Sequence, residues 1–373
     1  MTDQRPKSIE DSFDIVETVG KGAYGAVSKA KMKGTNQIVA LKKVSRDQIT
    51  MKNGFPENAM REIKILRALS QNENVVHLFK IESDLQTKDV YMVFEYCEFD
   101  LQGLIYQWFT SGRLQGEFDK YMRYVKCYFR QILQVIYFCH SRNIYHRDIK
   151  PSNIYVKLDN TIRMGDFGLA REFPKEKDGI SKENSPWNVV TIWYRAPELC
   201  LGAKKYGPEI DNWSLGCVLY EMITGKVLFK SPLDDGKENV ISQLKSIISK
   251  CGTFDKWPEA QNYMFYEKYY KEALSSFHAE ASNIRQYLEQ VIPEEAKEAI
   301  PLMEGLLQVN PKERMSIREA FLHPFLASPN DRLNPARLDR LTFDENHAMK
   351  TDAKRQQAYL ARTQVARPKP AKM

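Results

Sequence analysis

His146-Arg147-Asp148-Ile149-Lys150-Pro151-Ser152-Asn153 puts an acid, a cation and an amide carrier into one short loop. Asp148 can accept a proton from a hydroxyl, Lys150 can neutralise a phosphoryl oxygen, and Asn153 can hold a metal ion. Just upstream, from Asp119 to His140, Val125, Phe129, Ile132, Val135, Ile136 and Cys139 recur at helical spacing. That pattern predicts a long helix facing a core, with the loop at its end. Eight residues can match a pattern by chance, so the weight of the loop depends on what lies at set distances on either side.

Upstream, Ile15 to Val19 alternates, breaks at Gly20-Lys21-Gly22-Ala23-Tyr24-Gly25, and resumes at Ala26-Val27. Glycines spaced G-x-G-x-x-G let backbone N–H groups approach phosphate oxygens with no side chain between. The same spacing opens dinucleotide-binding units, where a helix follows the last glycine. Here Val27 onward reads as a strand, and that alternative fails. A second β-rich run, Ile38 to Val44, carries Lys42. A lysine on a strand beside a nucleotide reaches its phosphates when a carboxylate holds it. Glu62 is the natural partner, inside a helix expected from about Pro56 to Leu69 with Pro56 in its first turn. The bland alternative is two unrelated surface charges. Val90 to Glu95 is the next strong strand.

Downstream, Asp166-Phe167-Gly168 falls 18 residues after Asp148, beyond an alternating segment from Ile154 to Met164. Its carboxylate suits Mg²⁺, a hard cation that bridges phosphate oxygens. Ala196-Pro197-Glu198 follows, with Arg314 far enough on to be the buried ion-pair partner of Glu198. Further helices are expected from Asp211 to Thr224 and from Glu294 to Gln308. Each tripeptide alone carries little information. Five patterns in the right order across about 180 residues carry a great deal.

Composition limits the alternatives. The chain has 373 residues, 43% hydrophobic and 28% charged, which suits a soluble globular protein. Its net charge of +7 is modest, and the main body has no dense basic stripe, so nucleic acid is not an expected partner. Six scattered cysteines without C-x-x-C spacing read as free thiols of a reducing compartment. The N-terminus lacks the apolar core of a signal peptide, and no apolar run reaches the roughly 18 residues of a membrane span, so an intracellular, membrane-free protein is expected. From Asn330 onward, ten Arg or Lys stand against five Asp or Glu. That stretch reads as a solvated, partly disordered tail, with a segment lying back on the body as the alternative.

Taken together, these motifs resemble a protein kinase from about Phe13 to Leu326, with Lys150 in the form that serine/threonine kinases carry. The resemblance implies an α+β bilobal fold: a small, mainly β N-lobe (about 13–96) and a large, mainly helical C-lobe (about 97–326). A short N-terminal extension (1–12) precedes it, and a basic tail (327–373) follows. Gly54-Phe55-Pro56-Glu57-Asn58-Ala59-Met60-Arg61-Glu62-Ile63 is similar to the helix of cyclin-dependent kinases that a cyclin rotates inward. Trp193 to Glu198 is similar to their substrate platform. Glu95 to Leu101, Tyr206 to Asp211 and Cys251-Gly252-Thr253 look most like the transcription-elongation branch, whose members phosphorylate Ser-Pro repeats in the tail of RNA polymerase II.

The resemblance implies a nuclear enzyme that takes ATP and Mg²⁺, a cyclin partner and protein substrates with Ser/Thr-Pro sites. ATP would lie among Val19, Gly20, Lys21, Gly22, Ala23, Tyr24, Gly25, Ala26, Val27, Ala40, Lys42, Phe94, Glu95, Cys97 and Tyr155, with Phe94 behind the Glu95–Cys97 hinge. Asn153 and Asp166 would hold the metal. Asp148 would be the base, Lys150 would sit near the γ-phosphate, and Thr191 would brace both. Arg61, Arg147 and Arg171 each belong to a different catalytic part, so one anion bridging them would lock the parts together.

Four departures from the family stand out. Pro186 occupies the usual place of the activating threonine, which leaves Ser185 as the expected substitute and Ser181 or Glu183 as alternatives. Ala23 replaces one regulatory threonine, although Tyr24 remains. Tyr155 takes the place of a leucine beneath the adenine, and Gly165 that of an alanine, a change expected to widen the pocket. Among rival readings, an inactive kinase-fold scaffold would have lost Lys42, Asp148, Asn153 or Asp166, and all four are present. A mitogen-activated kinase would show T-x-Y where Ser185-Pro186-Trp187 stands. A cell-cycle kinase differs only in substrate and cyclin.

Overall fold

The glycine break folds the first strands into a hairpin. β1 (Phe13–Gly22) pairs antiparallel with β2 (Gly25–Met32), from Phe13 opposite Met32 to Gly22 opposite Gly25. Gly25 has φ 134°, a region that side chains avoid. The computed structural model describes residues 7–22, 25–44, 51–52, 55–173, 190–232, 238–275, 283–327, 333–345 and 347; side chains of 21, 22, 51, 52 and 55 lie outside that description. The expected loop residues Ala23 and Tyr24 also lie outside it, as do Ser181, Glu183, Ser185 and Pro186.

β3 (Ile38–Lys43) joins β2 and continues the sheet. A two-residue ladder, β4 (Met51–Lys52) with β5 (Phe55–Pro56), leads into α1 (Glu57–Leu69). Pro56 has ψ 128° and caps this helix from outside, a correction to its expected place in the first turn. β6 (Leu78–Ser83) and β7 (Val90–Glu95) complete a five-stranded antiparallel sheet in the order β1-β2-β3-β7-β6. Val39, Leu41 and Val93 bury one face of it with Phe13 and Ala30. The strand period of two therefore turns Ala40 and Lys42 to the opposite face.

Beyond the hinge come β8 (Phe99–Asp100), α2 (Leu101–Thr110) and the 24-residue α3 (Phe118–Ser141), whose expected apolar stripe is buried throughout. β9 (Ile144–Tyr145), β10 (Ile154–Val156), β11 (Ile162–Met164) and β12 (Arg171–Glu172) are short. β10 lies between β11 and β8. α4 (Pro197–Cys200) and α5 (Glu209–Thr224) follow, and nearly every residue of α5 is buried. α6 (Val240–Cys251), α7 (Lys271–Ser275), α8 (Ile284–Val291), α9 (Ile300–Leu306) and α10 (Ile317–Phe321) finish the large lobe. The helix expected over Glu294–Gln308 is instead a 3₁₀ segment, Glu294–Ala299, followed by α9, because Pro301 tolerates only a helix start. The β-sheet lobe and the helical lobe together form the α+β bilobal architecture that the motifs imply.

The basic tail departs from its first reading. Over the described residues 333–345 and 347 it packs along the large lobe and returns to the hinge. Leu333, Leu338 and Leu341 are buried, and Phe343 meets Trp108 edge to face at 5.2 Å. Tyr124 and Asn160 both donate to the Asp339 carbonyl at 3.0 Å. At the far end Glu345 accepts from Tyr96 at 2.8 Å and pairs with Lys29 of β2 at 2.5 Å. His347 lies 3.7 Å from Asp100. No helix among the described residues is long and apolar enough to cross a membrane.

Candidate active site

The cleft between the sheet and the large lobe gathers the chemical groups. Lys42 reaches from β3 to Glu62 of α1, with Nζ 2.7 and 2.9 Å from the two carboxylate oxygens, and lies 3.3 Å from Asp166 Oδ1. Burial pulls the Lys42 ammonium down, but the Glu62 and Asp166 carboxylates outweigh it and hold the pKa above its ordinary value. Burial pushes Asp166 up, and the Lys42 and Lys150 ammoniums more than reverse this, so its carboxyl stays below the usual range. Lys42 is therefore a fixed cation, and Asp166 a fixed anion in the left-handed conformation at φ 53°.

Asp148 is braced from three sides. Lys150 Nζ donates to Oδ2 at 2.7 Å, Thr191 donates to Oδ1 through both N–H (3.1 Å) and Oγ1 (3.0 Å), and Asn153 Nδ2 donates to Oδ2 at 3.0 Å. Lys150 also donates to Thr191 Oγ1 at 2.9 Å, which uses that hydroxyl as donor and acceptor together. Asn153 spends its amide nitrogen on Asp148, and its Oδ1 is the atom left for a cation. Among the described residues no group of three or more His, Cys, Asp or Glu could hold a metal alone. An amide oxygen and one carboxylate suit Mg²⁺ that takes its other ligands from phosphates and water.

Underneath, one residue sets the loop backbone. Asp211, buried at the start of α5, accepts the N–H groups of His146 and Arg147, both at 2.9 Å, and faces His140 Nε2 at 2.8 Å. Burial pushes its carboxyl up, but the contact with His140, with His146 and the Arg147 N–H behind it, more than reverses this and holds it below the ordinary value. Arg147 is held at φ 64° by this arrangement. His146 Nε2 meets the Gly165 carbonyl at 2.9 Å, tying the catalytic loop to the Asp166 segment.

Around the nucleotide cleft, Val19 and Phe94 are buried, and Gly20, Ala26, Val27, Ala40 and Glu95 are half-buried. Glu95 is fixed from behind by Arg163 (2.9 Å) and Lys157 (3.3 Å). Cys97 is buried, and burial pushes its thiol up, as suits a packed residue and not a reactive one. Tyr155 faces the cleft from β10. Its ring fills the space beside Gly165, so the expected widening there does not occur.

The three arginines are in different situations. Arg61 donates to Asn58 Oδ1 at 2.9 Å. Arg147 donates to the Leu169 carbonyl from Nε (2.8 Å) and Nη2 (2.6 Å), and to the Tyr206 hydroxyl at 2.8 Å. Burial lowers the Arg147 pKa, and the Arg171 guanidinium adds to that. Lower down, Arg314 forms a two-point ion pair with Glu198 at 2.8 and 3.0 Å, the partner expected from sequence, with both side chains buried. From sequence, Arg195 fell within the Trp193–Glu198 stretch similar to a substrate platform and Tyr206 and Asp211 within a stretch that resembles one kinase branch, without individual roles, and Glu238 was not singled out. For Asp211 the available signal was an acid near the start of a largely apolar helix.

A protein kinase domain model matches residues 13–326. The chain belongs to the protein kinase family. Among curated proteins it is 34% identical over 364 residues to cyclin-dependent kinase C-1 of Oryza sativa subsp. japonica, an overlap of 93% of this chain and 64% of the relative. It is 36% identical over 327 residues to cyclin-dependent kinase C-2 of the same plant (83% and 58%). Cyclin-dependent kinase C-2 of Arabidopsis thaliana gives 35% over 361 residues (92% and 64%). The chain thus spans somewhat under two thirds of the length of these relatives.

Proposed function

We propose that this kinase transfers the γ-phosphoryl group of ATP to a serine or threonine followed by proline, and that a cyclin activates it. The observation that carries the reading is the Asp148 carboxylate held jointly by Lys150, Thr191 and Asn153 at the mouth of the cleft. Asp148 accepts the substrate hydroxyl proton, while Lys150 stays within reach of both the base and the incoming phosphoryl oxygens. Lys42, fixed by Glu62, orients the phosphates. Asn153 and Asp166 would hold Mg²⁺, whose charge would offset that on the phosphoryl oxygens. Positioning and fixed charge do most of the work.

Proline specificity has its own support. Val190 sits at φ 67°, a strained conformation for a β-branched residue, and its carbonyl accepts from Arg195 Nε (3.1 Å) and Nη2 (2.8 Å). Glu238 holds the same Arg195 nitrogen at 2.7 Å. A carbonyl already committed to a guanidinium offers little to a substrate N–H beside it, and proline is the residue with no N–H to satisfy.

The similarity to kinases named cyclin-dependent supports a cyclin partner. Met60 on α1 and Phe79 and Ile81 on the edge strand β6 are exposed apolar residues on the elements such a partner would cover. We extend the reading to a nuclear enzyme acting on transcription proteins, with the polymerase tail repeats as first candidates, and to an anion from Ser185 bridging Arg61, Arg147 and Arg171. The test is phosphotransfer by the full chain with a co-purified cyclin onto Ser-Pro and Ser-Ala peptides. Strong preference for Ser-Pro is expected. Equal use of both, or no transfer, overturns the reading. A mitotic cyclin in the pull-down overturns the transcription assignment alone, and unchanged activation in Ser185→Ala overturns the role of Ser185.

A further inference from the structure

The segment from Leu333 to His347 carries a single side-chain hydroxyl, and that hydroxyl already faces a cation. Thr342 lies between buried Leu341 and half-buried Phe343, with its own side chain exposed. Its Oγ1 accepts from Arg113 Nη1 at 3.0 Å. Arg113 stands in the loop after α2 and is exposed as well, yet it is not loose. Its guanidinium lies over the Phe343 ring at 4.3 Å, and that ring meets Trp108 edge to face. A guanidinium stacked on an aromatic face is ordered before an anion arrives. It offers five N–H donors, and the hydroxyl takes one. The acids nearby are largely answered: Lys120 pairs with Asp339 at 3.0 Å and Lys29 with Glu345 at 2.5 Å. Exposed Asp344 is left as the opposing charge, against Arg113 and exposed Arg340.

We propose that Thr342 is a phosphorylation site, and that its phosphate docks on the Arg113 guanidinium as a latch holding this segment against the large lobe. Asp344 and Glu345 follow two and three residues after the hydroxyl, so the modifying enzyme is a kinase that reads carboxylates beyond its acceptor. The Ser/Thr-Pro preference proposed for this chain does not fit, since Phe343 follows Thr342. In the transfer, the bond from Thr342 Oγ1 to the γ-phosphorus of ATP forms as the bond from that phosphorus to the β–γ bridging oxygen breaks. The hydroxyl proton passes to the base of the modifying kinase, and ADP leaves. The product carries about two negative charges near neutral pH, and its oxygens match two parallel N–H donors of a guanidinium. Glu345 is held by Tyr96 and Lys29 while the segment is docked, so the mark is written with that end lifted and read when it settles back.

The experiment uses the full chain in an Asp148→Asn background, which removes its own activity, treated with casein kinase II and MgATP. Mass spectrometry of the tryptic peptide beginning at Leu341, whose one hydroxyl is Thr342, should find a phosphate there. Deuterium uptake of the same peptide should then slow by about three- to tenfold, the scale of a charge-assisted contact weakened by solvent. In Arg113→Gln the slowing should vanish. In Arg113→Lys part of it should remain, because an ammonium supplies charge without the fork. Arg113 is exposed, so both variants fold. Absence of phosphate from Thr342 overturns the proposal. So does unchanged or faster uptake after phosphorylation, and so does equal slowing in Arg113→Gln, which would make the phosphate indifferent to this partner.

Discussion

A buried carboxylate that accepts two backbone N–H groups and faces an imidazole is committed to one geometry, and Asp211 is in that position beneath the catalytic loop. Asp211→Asn should cost about 3 kcal/mol in urea denaturation, since it leaves buried donors poorly matched. The sign of its pH dependence follows from the depressed pKa. The folded carboxylate binds a proton less readily than the unfolded one, so its contribution is intact above the ordinary value of 3.8 and drains as pH falls through the lower folded value. The stability gap between the native chain and Asp211→Asn should therefore be flat above about pH 5 and close below pH 3.8. At the catalytic base, Asp148→Asn should lower kcat by about 10²–10⁴-fold. Thr191→Val keeps one of the two Thr191 donors and should cost about tenfold, read in the same steady-state phosphotransfer assay. Asp148, Lys150 and Asn153 were legible because each is a side chain whose chemistry requires its type, all within one short loop, whereas Thr191, 43 residues from Asp148, came only from the family resemblance. Asp211 left only a weak signal, an acid near the start of a largely apolar helix, because its task is to hold the backbone of a loop some 65 residues away.

At the scale of elements, regular periods were readable and irregular contacts were not. The stripe of α3 repeats at helical spacing and emerged almost to the residue. The segment from Leu333 to Phe343 buries or packs its apolar residues at separations of five, three and two (338 − 333, 341 − 338, 343 − 341), which match no helix or strand. Each side chain finds its own contact, Phe343 lying between Trp108 and the Arg113 guanidinium. Such a segment looks like a tail until the surface it lies on is known. Truncation after residue 332 should lower stability by about 4 kcal/mol, or Tm by roughly 5 °C in scanning calorimetry, from lost leucine and aromatic burial. Leu341→Ala should account for about 2 kcal/mol of that. A truncated chain as stable as the full one would mean the segment does not hold this position in solution.

Over the whole molecule, exposed apolar residues and buried charges divide two kinds of work. Met60, Phe79 and Ile81 are 55%, 40% and 37% exposed, which contributes little to an isolated fold. Met60→Glu combined with Phe79→Asp should therefore shift stability by about 0.5 kcal/mol or less while abolishing capture of a cyclin in a pull-down. The Arg314–Glu198 pair behaves in the opposite way. Breaking it with Arg314→Ala strands a buried carboxylate and should cost about 3–5 kcal/mol, whatever partner is bound. The bilobal plan was legible because a switch from strand period to helix period near the hinge survives any detail of packing. What the lobes do at their meeting line, including the filling of Gly165 by Tyr155, depends on three-dimensional neighbours and emerged only there. The Asp211 clamp also has a kinetic consequence. Catalytic loops usually exchange their amide protons with solvent quickly, yet the His146 and Arg147 amides end on a side chain from a helix of which nearly every residue is buried. Their deuterium uptake should wait for opening of the large lobe itself, making two amides beside the reacting centre reporters of its global unfolding.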